Sequence, residues 1–421
     1  MRTRFAALVA AATSATLALA RPFPREGMAQ APAASLPPVH LQVTGDPTPV
    51  ETLRLAIVTA ARAAMPEARS GRVSLTETAP VLQPLPEASA VSLRAVLQFM
   101  VPGGRPLFRM MPAEITNTVV PWADAQMLLV SNSPETLPFG KVLLNGALST
   151  GETMRLLYHH SNGSGTQRMS IGVSLSNPGG APITLWVMGA TGSAGTDELS
   201  IGHSAARAFL AQYWRRAGFM LQIPANTTMP LFLNELAPQG VASGLVQLRL
   251  IDGDHLNLQV FARMEGEMDP PPDSFAPNFD KVHQRGVFEH PSFTRPLAYT
   301  VGSAPLMMDV GDDRDALHES QTGVPLNGNY GVMYTYLIDV HNPGPDPASL
   351  ALFFQALGGQ AAGTVLIDDQ IVDLPRVRSA EPQIMARIRL EPGKHRLLVV
   401  STMPESGANY PIRLLLGPPT L

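Results

Sequence analysis

The sequence predicts a mainly β protein in which a small α+β domain is followed by two related β-sandwich domains. Pro (40) and Gly (35) are abundant among the 421 residues and only 15% of the residues are charged, a composition typical of a turn-rich β protein. Short alternating apolar runs separated by turn residues occur along most of the chain. A pattern of turn, strand and corner also recurs at an offset of 165 residues, which indicates a duplicated β unit.

Two turn motifs and the strand between them carry the repeat. Asn162-Gly163 matches Asn327-Gly328, and Asn177-Pro178-Gly179 matches Asn342-Pro343-Gly344. The strand keeps its phase, since a slip of one residue would move every apolar side chain to the other face of the sheet. The matched apolar residues are Met169, Ile171, Val173 and Leu175 in the first copy and Tyr334, Tyr336, Ile338 and Val340 in the second. Folding alone explains Asn-Pro-Gly, because Pro cannot extend a ladder and Gly tolerates the turn.

The first 20 residues have the pattern of a signal peptide. Arg2 and Arg4 precede an apolar stretch at 5–19, and Ala18-Leu19-Ala20 predicts cleavage after Ala20. This stretch is short for a transmembrane span, which needs about 20 residues, and no later stretch is long and apolar enough to cross a bilayer. We therefore expect export to the periplasm, the cell surface or the medium, with no transmembrane segment after cleavage.

Composition narrows the chemistry and the partners. The chain has no Cys, which excludes disulfides, thiolate metal ligands, Cys nucleophiles and a lipid-modified Cys. A net charge of −4 gives no basis for nucleic-acid binding. An exported protein without disulfides has to be held together by its buried core.

The domains follow in order along the chain. Residues 21–37 are rich in Pro and Ala and predict a flexible segment. Residues 38–135 predict the small α+β domain, with a strand at 39–43, a helix at 49–64 that ends before Pro66, and strands at 72–76, 91–100 and 126–130.

Residues 136–265 predict the first β-sandwich. Residues 146–158 are typical of a hairpin-like strand pair, and the 161–165 cluster is typical of a turn with positive φ. Residues 204–217 predict an inserted helix that begins at His203 or Ser204 and ends at Gly218. Strands are expected at 219–223, 229–234, 245–251 and 256–262, the last two joined as a hairpin by Asp252-Gly253.

Residues 266–286 predict a Pro-rich linker, and residues 287–421 predict the second β-sandwich. After the repeated motifs, strands are expected at 364–374, 383–390, 396–402 and 411–416.

Gly202-His203-Ser204-Ala205-Ala206 is similar to the G-x-S-x-G nucleophile elbow of serine hydrolases, which makes Ser204 and His203 candidate catalytic residues. An elbow needs a buried apolar strand before the Ser, whereas residues 194–199 are polar. Ser204 as a helix N-cap is the alternative interpretation.

Two polar clusters are candidates for ligand or metal binding. His159 and His160 are adjacent, so on a strand they point to opposite faces and do not readily bind one ion; a surface or interface pair is the alternative. The acidic cluster of Asp309, Asp312, Asp313, Asp315 and Glu319 could bind calcium through oxygen ligands, although its spacing fits no EF-hand and a solvated acidic loop is the alternative.

Glycan binding would require exposed aromatic rings that stack on sugars. The candidates are Trp214 and Tyr330, alongside Trp122, Trp186, Tyr334 and Tyr336, of which the last two also fit a core.

Taken together, the sequence favours an exported, non-enzymatic protein of the cell envelope that is structural, adhesive or ligand-binding and whose partner is a protein or a glycan. No cofactor is expected, with calcium left open. The alternatives are a secreted hydrolase that uses Ser204, or a metal with His159 or His203, and a calcium- or small-ligand-binding module. The insert at 191–218 is unique to the first copy and is where a specific site is expected first.

Overall fold

The structure is a computed structural model that describes residues 34–65, 71–100, 104–192, 195–276, 283–378 and 381–420. The predicted signal peptide at 1–20 and most of the segment at 21–37 lie outside these residues, and both stay predictions. The helices in the described part are α1 (Val50–Ala64) and α2 (Glu198–Arg215). No helix in these ranges is long and apolar enough to cross a membrane.

The strands of the described part, in chain order, are β1 (Ala34–Ser35), β2 (Val39–Thr44), β3 (Arg72–Ala79), β4 (Ala90–Met100), β5 (Leu107–Asn117), β6 (Met127–Ser131), β7 (Lys141–Ser149), β8 (Thr153–Ser161), β9 (Met169–Asn177), β10 (Ile183–Thr191), β11 (Gly218–Ile223), β12 (Thr227–Leu236), β13 (Val241–Asp252), β14 (His255–Met264), β15 (Arg285–Glu289), β16 (Ser292–Thr300), β17 (Leu306–Val310), β18 (Met333–His341), β19 (Ala348–Ala356), β20 (Ala361–Ile367), β21 (Gln370–Val377), β22 (Gln383–Leu390), β23 (His395–Thr402) and β24 (Ile412–Gly417).

Within the described ranges these strands form four sheets. Sheet I has eleven strands in the order β15-β6-β8-β13-β10-β11-β2-β5-β4-β3, with β1 beside β5. Sheet II is β12-β9-β14-β7, sheet III is β16-β18-β23-β20-β21, and sheet IV is β17-β24-β19-β22. One core joins sheet I to sheet II, and a second joins sheet III to sheet IV. The expectation of a mainly β fold with two sandwiches is therefore confirmed.

The N-terminal strands continue sheet I. Strand β2 runs parallel to β5 and meets β11 through Thr44 and Val43, so the sheet passes without a break into the first sandwich. Helix α1 covers this end, and it buries Leu53, Ala56 and Ile57 as the 3.6-residue apolar period requires. Strand β5 was not expected from the sequence.

The two sandwiches share part of their topology. Four strands of the first copy run β8-β13-β10-β11, and four of the second run β17-β24-β19-β22. In the facing sheets, β12 pairs with β9 as β23 pairs with β18. The predicted internal duplication therefore extends to six equivalent strands.

The Asn-Pro-Gly corners confirm the repeat at the level of atoms. Each Asn is buried, and its side-chain oxygen accepts the backbone N–H of the Gly two residues later. The distance is 2.9 Å for Asn177 and 3.1 Å for Asn342. Each side-chain amide donates to the last residue of the equivalent neighbouring strand, Ile223 or Leu390. One Asn side chain thus closes the corner and ties it to the next strand.

The other repeated motif is not equivalent in the two copies. Asn162 makes the same kind of local bond, since it accepts the N–H of Ser164, and neither Gly163 nor Gly165 has a positive φ. Gly328 has a φ of 78° within a short 3₁₀ turn. The expectation of a positive-φ turn at 161–165 was wrong, because the Asn side chain closes this turn instead.

Both hairpin predictions in the first sandwich were also wrong. Strands β7 and β8 lie in sheets II and I, and strands β13 and β14 lie in sheets I and II. Asp252-Gly253 therefore carries the chain from one sheet of the sandwich to the other. Gly253 has a φ of 105°, and a Cβ added to it would lie 2.3 Å from the side chain of Ile183. The strand expected at 364–374 is instead a true hairpin, β20–β21.

Helix α2 begins six residues before its expected start. Its N-cap is Asp197, and its C-cap is Arg216 in the left-handed conformation, while Gly218 already belongs to β11. The N-cap assignment to Ser204 or His203 was therefore wrong. The six extra residues add more than one helical turn, and the burial of Leu199 and Ile201 stabilises it.

Candidate functional site

Helix α2 lies between the two sandwiches. One side packs on β10 and β13 of sheet I, and the other packs on β20 and β21 of sheet III. The helix is inserted between β10 and β11, and the β20–β21 hairpin is inserted at the equivalent place between β19 and β22. The two copies thus differ in their inserts, and the inserts meet each other. We call the surfaces joined by α2 the inter-sandwich interface.

Arg155 on β8 is fully buried in this interface. Its guanidinium donates to the carbonyl oxygens of Pro291 at 3.2 Å and Gly331 at 2.9 Å, and it lies over the ring of Phe209 on α2. Burial lowers the pKa of Arg155. One cation therefore links the first sandwich, the helix and the start of the second sandwich.

His203 on α2 lies between two carboxylates of the second sandwich. Its Nδ1 is 2.7 Å from Oε2 of the buried Glu405, and its Nε2 is 2.7 Å from Oδ1 of Asp373, a contact of charges without the direction of a hydrogen bond. Glu405 also accepts the backbone N–H of Thr364, and Asp373 is paired with Arg207. Burial alone would lower the pKa of His203, but the two carboxylates more than offset it and raise that pKa.

Ser204 is an interior residue of α2, not a residue of a strand-to-helix turn. Its hydroxyl donates to the carbonyl of Ile201 at 2.9 Å. Both ring nitrogens of His203 face carboxylates, so the pair is not arranged as nucleophile and base. Gly202 of the same motif has a packing role, because a Cβ there would lie 1.7 Å from the carbonyl oxygen of Ser406.

A cavity of about 200 Å³ opens at the N-terminal end of α2. Glu135, His159, Glu198 and His283 line it from the first sandwich and the helix, and Tyr330 and Asn409 line it from the second sandwich. Three potential metal-ligand atoms lie within 4.8 Å of one another, one each from Glu135, His159 and Glu198. We call Glu135, His159 and Glu198 the carboxylate–histidine cluster.

Burial shapes the electrostatics of this cluster. His159 is only 3% exposed, and burial lowers its pKa to about 4, so the ring is neutral at pH 7. Its Nδ1 has no hydrogen-bond partner within the described part of the chain. Burial, followed by the charge of Glu135, raises the pKa of Glu198.

The neighbouring His160 points away from the cavity, as adjacent strand residues should. Its Nε2 contacts the hydroxyl of Ser131 at 2.9 Å, and its Nδ1 contacts the carbonyl of Pro134 at 2.8 Å. His160 therefore holds the 131–134 loop that presents Glu135. Tyr330 lines the cavity, and its hydroxyl donates to the carbonyl of Ala408.

An aromatic groove lies at the other end of α2. Trp122, Tyr213 and Trp214 line a volume of about 230 Å³ together with Asp124, Arg216, Leu366, Asp368, Val399 and Ser401. Trp214 is 42% exposed. Asp124 accepts the indole N–H of Trp122 at 3.1 Å and the hydroxyl of Tyr213 at 2.7 Å, which fixes both rings.

The acidic cluster of the second sandwich faces arginines. Asp309 is bound by Arg413 and Arg314, Asp312 is bound by Arg314, and Asp315 is bound by Arg295. Glu319 accepts backbone N–H groups of Val287, Gln321 and Thr322. These carboxylates are thus bound by arginine side chains and backbone amides. A calcium site would instead require several oxygen atoms that converge on one point. Asp313 begins the short 3₁₀ turn that Asp312 caps.

The sequence pointed to His159, Tyr330, Trp214 and Trp122, but not to the acidic residues beside them. Glu135 lies on a loop, Glu198 lies in a helical turn that was not expected, and Asp124 precedes β6. Since these residues are brought together by contacts between distant segments, no local motif marks them.

Comparisons with known proteins give no family and no curated relative, because no family model and no curated protein matches the chain. Solved structures that match in part include Lac15 from a marine microbial metagenome, with 12% identity, 79% of this chain and 72% of that chain covered, and a TM-score of 0.13. The tandem CBM22 domains of Xyn10C from Paenibacillus barcinonensis match with 9% identity, 67% and 90% coverage, and a TM-score of 0.14. The catalytic M60 domain with two CBM51 domains of ZmpB from Clostridium perfringens matches with 6% identity, 82% and 43% coverage, and a TM-score of 0.13. At these TM-scores the likeness carries no argument about function.

Proposed function

We propose that this chain is an exported, non-enzymatic glycan-binding protein of the cell envelope and that the aromatic groove at the C-terminal end of α2 is its binding site. The observation that supports the proposal is the exposed ring of Trp214 beside the fixed rings of Trp122 and Tyr213. Sugar rings stack on aromatic faces, and polar groups at the rim bond their hydroxyls.

The rim of the groove has the polar groups that such a ligand needs. Asp124 and Arg216 are exposed, and the Arg216 guanidinium lies 6.0 Å from the centre of the Trp122 ring. A carboxylate and a guanidinium together can accept and donate hydrogen bonds to vicinal hydroxyls. A neutral or weakly charged glycan fits this mixed rim better than a strongly charged ligand would.

Export and the lack of catalysis are supported by separate observations. The first 20 residues have the signal-peptide pattern. The hydroxyl of Ser204, the candidate nucleophile, is bonded to Ile201, and the candidate base His203 is held between carboxylates.

Two binding experiments on the full chain test the proposal. The first is affinity electrophoresis through gels that contain dextran, xylan or β-1,3-glucan, and the second is a pull-down on peptidoglycan. We expect retardation or capture by at least one of them and an about fivefold or larger loss of affinity in Trp214→Ala, because a stacked ring contributes on the order of 1 kcal/mol or more. Phe139→Ala is the matched control, since Phe139 is 49% exposed and lies outside the groove. Equal losses in both variants, or binding unaffected by Trp214→Ala, would remove the groove from consideration.

A further inference from the structure

We infer that Glu135, His159 and Glu198 form a binding site for a divalent transition metal ion of the zinc type. The inference is independent of the proposed glycan function, because the cavity and the aromatic groove lie at opposite ends of α2 and share no lining residue.

The spacing of the three ligand atoms is close to that of a metal site. Since each pair lies within 4.8 Å, a point exists within about 2.8 Å of all three atoms. Zinc bonds to histidine nitrogen and carboxylate oxygen are about 2.0–2.2 Å long, so small rotations of the two Glu side chains would complete the coordination. Both Glu residues lie where such movement is allowed, since Glu135 is half-buried and Glu198 is exposed.

The buried His159 ring supplies independent evidence for a ligand. A buried nitrogen without a hydrogen-bond partner is unfavourable, and it calls for an explanation such as an ion or a water. The ring lies at the wall of a cavity that two carboxylates also line, so a cation is the ligand that suits all three groups. An ordered water would satisfy the nitrogen, whereas a cation would satisfy the nitrogen and also offset the charge of two neighbouring carboxylates.

The surroundings have the features of a supporting shell. His283 Nε2 lies 3.4 Å from Oε2 of Glu135, and His160 fixes the loop that carries Glu135. Residues that orient metal ligands in this way are a regular part of metal sites.

The ligand set selects among metals. Imidazole nitrogen with carboxylate oxygen suits zinc and its neighbours in the first transition row, whereas calcium and magnesium prefer oxygen alone. Because the ligands come from the 131–135 loop, β8 and α2, a bound ion would also cross-link the first sandwich to the helix, and binding should raise the melting temperature.

The inference is tested by isothermal titration calorimetry, in which the chelator-treated full chain is titrated with ZnCl₂. The visible spectrum of the Co²⁺ form is recorded alongside. We expect one ion per chain, a rise in melting temperature, and an affinity at least about 100-fold lower in His159→Gln, a larger loss than orienting residues usually produce. Glu198→Gln is the second variant, because its exposed side chain can be changed without loss of the fold, and it should weaken zinc binding similarly and alter the Co²⁺ spectrum.

A surface pair provides the matched control. His341 and His395 stack with ring centres 4.0 Å apart beside Asp339, so they could bind zinc adventitiously. His395→Gln should leave the main binding event unchanged. Loss of binding in His395→Gln but not in His159→Gln or Glu198→Gln would overturn the inference, as would a chain that binds neither Zn²⁺ nor Co²⁺.

Discussion

Arg155 and His203 are both enclosed at the inter-sandwich interface, but their partners differ in kind. Arg155 is bonded to neutral carbonyl oxygens, and a guanidinium stays charged at neutral pH. His203 lies between Glu405 and Asp373, so its interactions depend on its own protonation. The interface therefore contains one permanent and one titratable link across the same helix.

The titratable link predicts a pH-dependent stability. The pKa of His203 in the folded chain is raised above its ordinary value of 6.5, so its contribution is complete below pH 6.5 and is lost as pH rises through the folded pKa. Burial raises the pKa of Glu405, which acts in the same direction. We expect the free energy of unfolding, measured in urea between pH 6.5 and 9, to fall with rising pH in the wild type and to fall less in His203→Gln.

This pH range separates His203 from the other buried histidines. The pKa values of His159 and His160 are lowered to about 4 and about 3, so both are neutral in the folded and the unfolded chain above their ordinary value of 6.5. His395→Gln serves as a control, because that residue is exposed beside Asp339. An identical pH slope in wild type and His203→Gln would show that the His203 contacts do not contribute to stability.

At the scale of elements, the fit of α2 against the 404–408 loop depends on a helical glycine. A Cβ at Gly202 would lie 1.7 Å from the backbone oxygen of Ser406, and backbone cannot turn aside as a side chain can. In a free helix Gly→Ala would stabilise by roughly 1 kcal/mol. We expect Gly202→Ala instead to destabilise the chain by about 2–3 kcal/mol in urea unfolding.

Gly165→Ala is the matched control for this substitution. Gly165 has no atom within 4 Å of an added Cβ and does not have a positive φ, so the change should have little effect. A stabilised Gly202→Ala variant would mean that α2 does not pack closely on the 404–408 loop at Gly202.

The strands could be predicted far better than their partners. Alternation is local, and it located β9, β11, β22 and β23 closely, as it did the shared phase of the two copies. Asp252-Gly253 has the local chemistry of a hairpin, yet β13 and β14 join different sheets because each completes a sheet formed by distant strands. Turn residues specify a reversal of the chain, not the sheet that the next strand enters.

The start of α2 and the candidate site were beyond local prediction for the same reason. Leu199 and Ile201 are buried by tertiary packing, in a stretch whose other residues are polar. Glu135, His159 and Glu198 come from a loop, a strand and that first helical turn. His159 could be singled out by residue type, but its partners are defined only by the packing of the helix.

On the scale of the whole molecule, the core of the second sandwich continues through α2 into the outer face of sheet I. Phe209 and Leu210 of the helix belong to one apolar cluster with Met188 on β10 and Leu366 on β20. Neither sandwich can separate from α2 without exposing part of this cluster, so we expect the two sandwiches to unfold together.

The positions of the tryptophans make this expectation testable. Trp122, Trp186 and Trp214 are the only tryptophans of the chain, and Trp122 contacts Trp186 at a ring distance of 5.7 Å beside α2. Their fluorescence therefore reports on the interface, and far-ultraviolet circular dichroism reports on all strands. We expect coincident midpoints in urea. A fluorescence transition at lower urea would show that the interface opens before the sandwiches unfold.

The same tryptophans allow the most direct test of the proposed glycan site, a fluorescence titration with the polysaccharide that retards the chain most strongly. If the ligand stacks on Trp214, emission changes saturably at the concentration that gives half-maximal retardation, and Trp214→Ala loses that change while Phe139→Ala keeps it. A polysaccharide that binds the chain tightly and leaves tryptophan emission unchanged would contradict the assignment of the groove as the binding site.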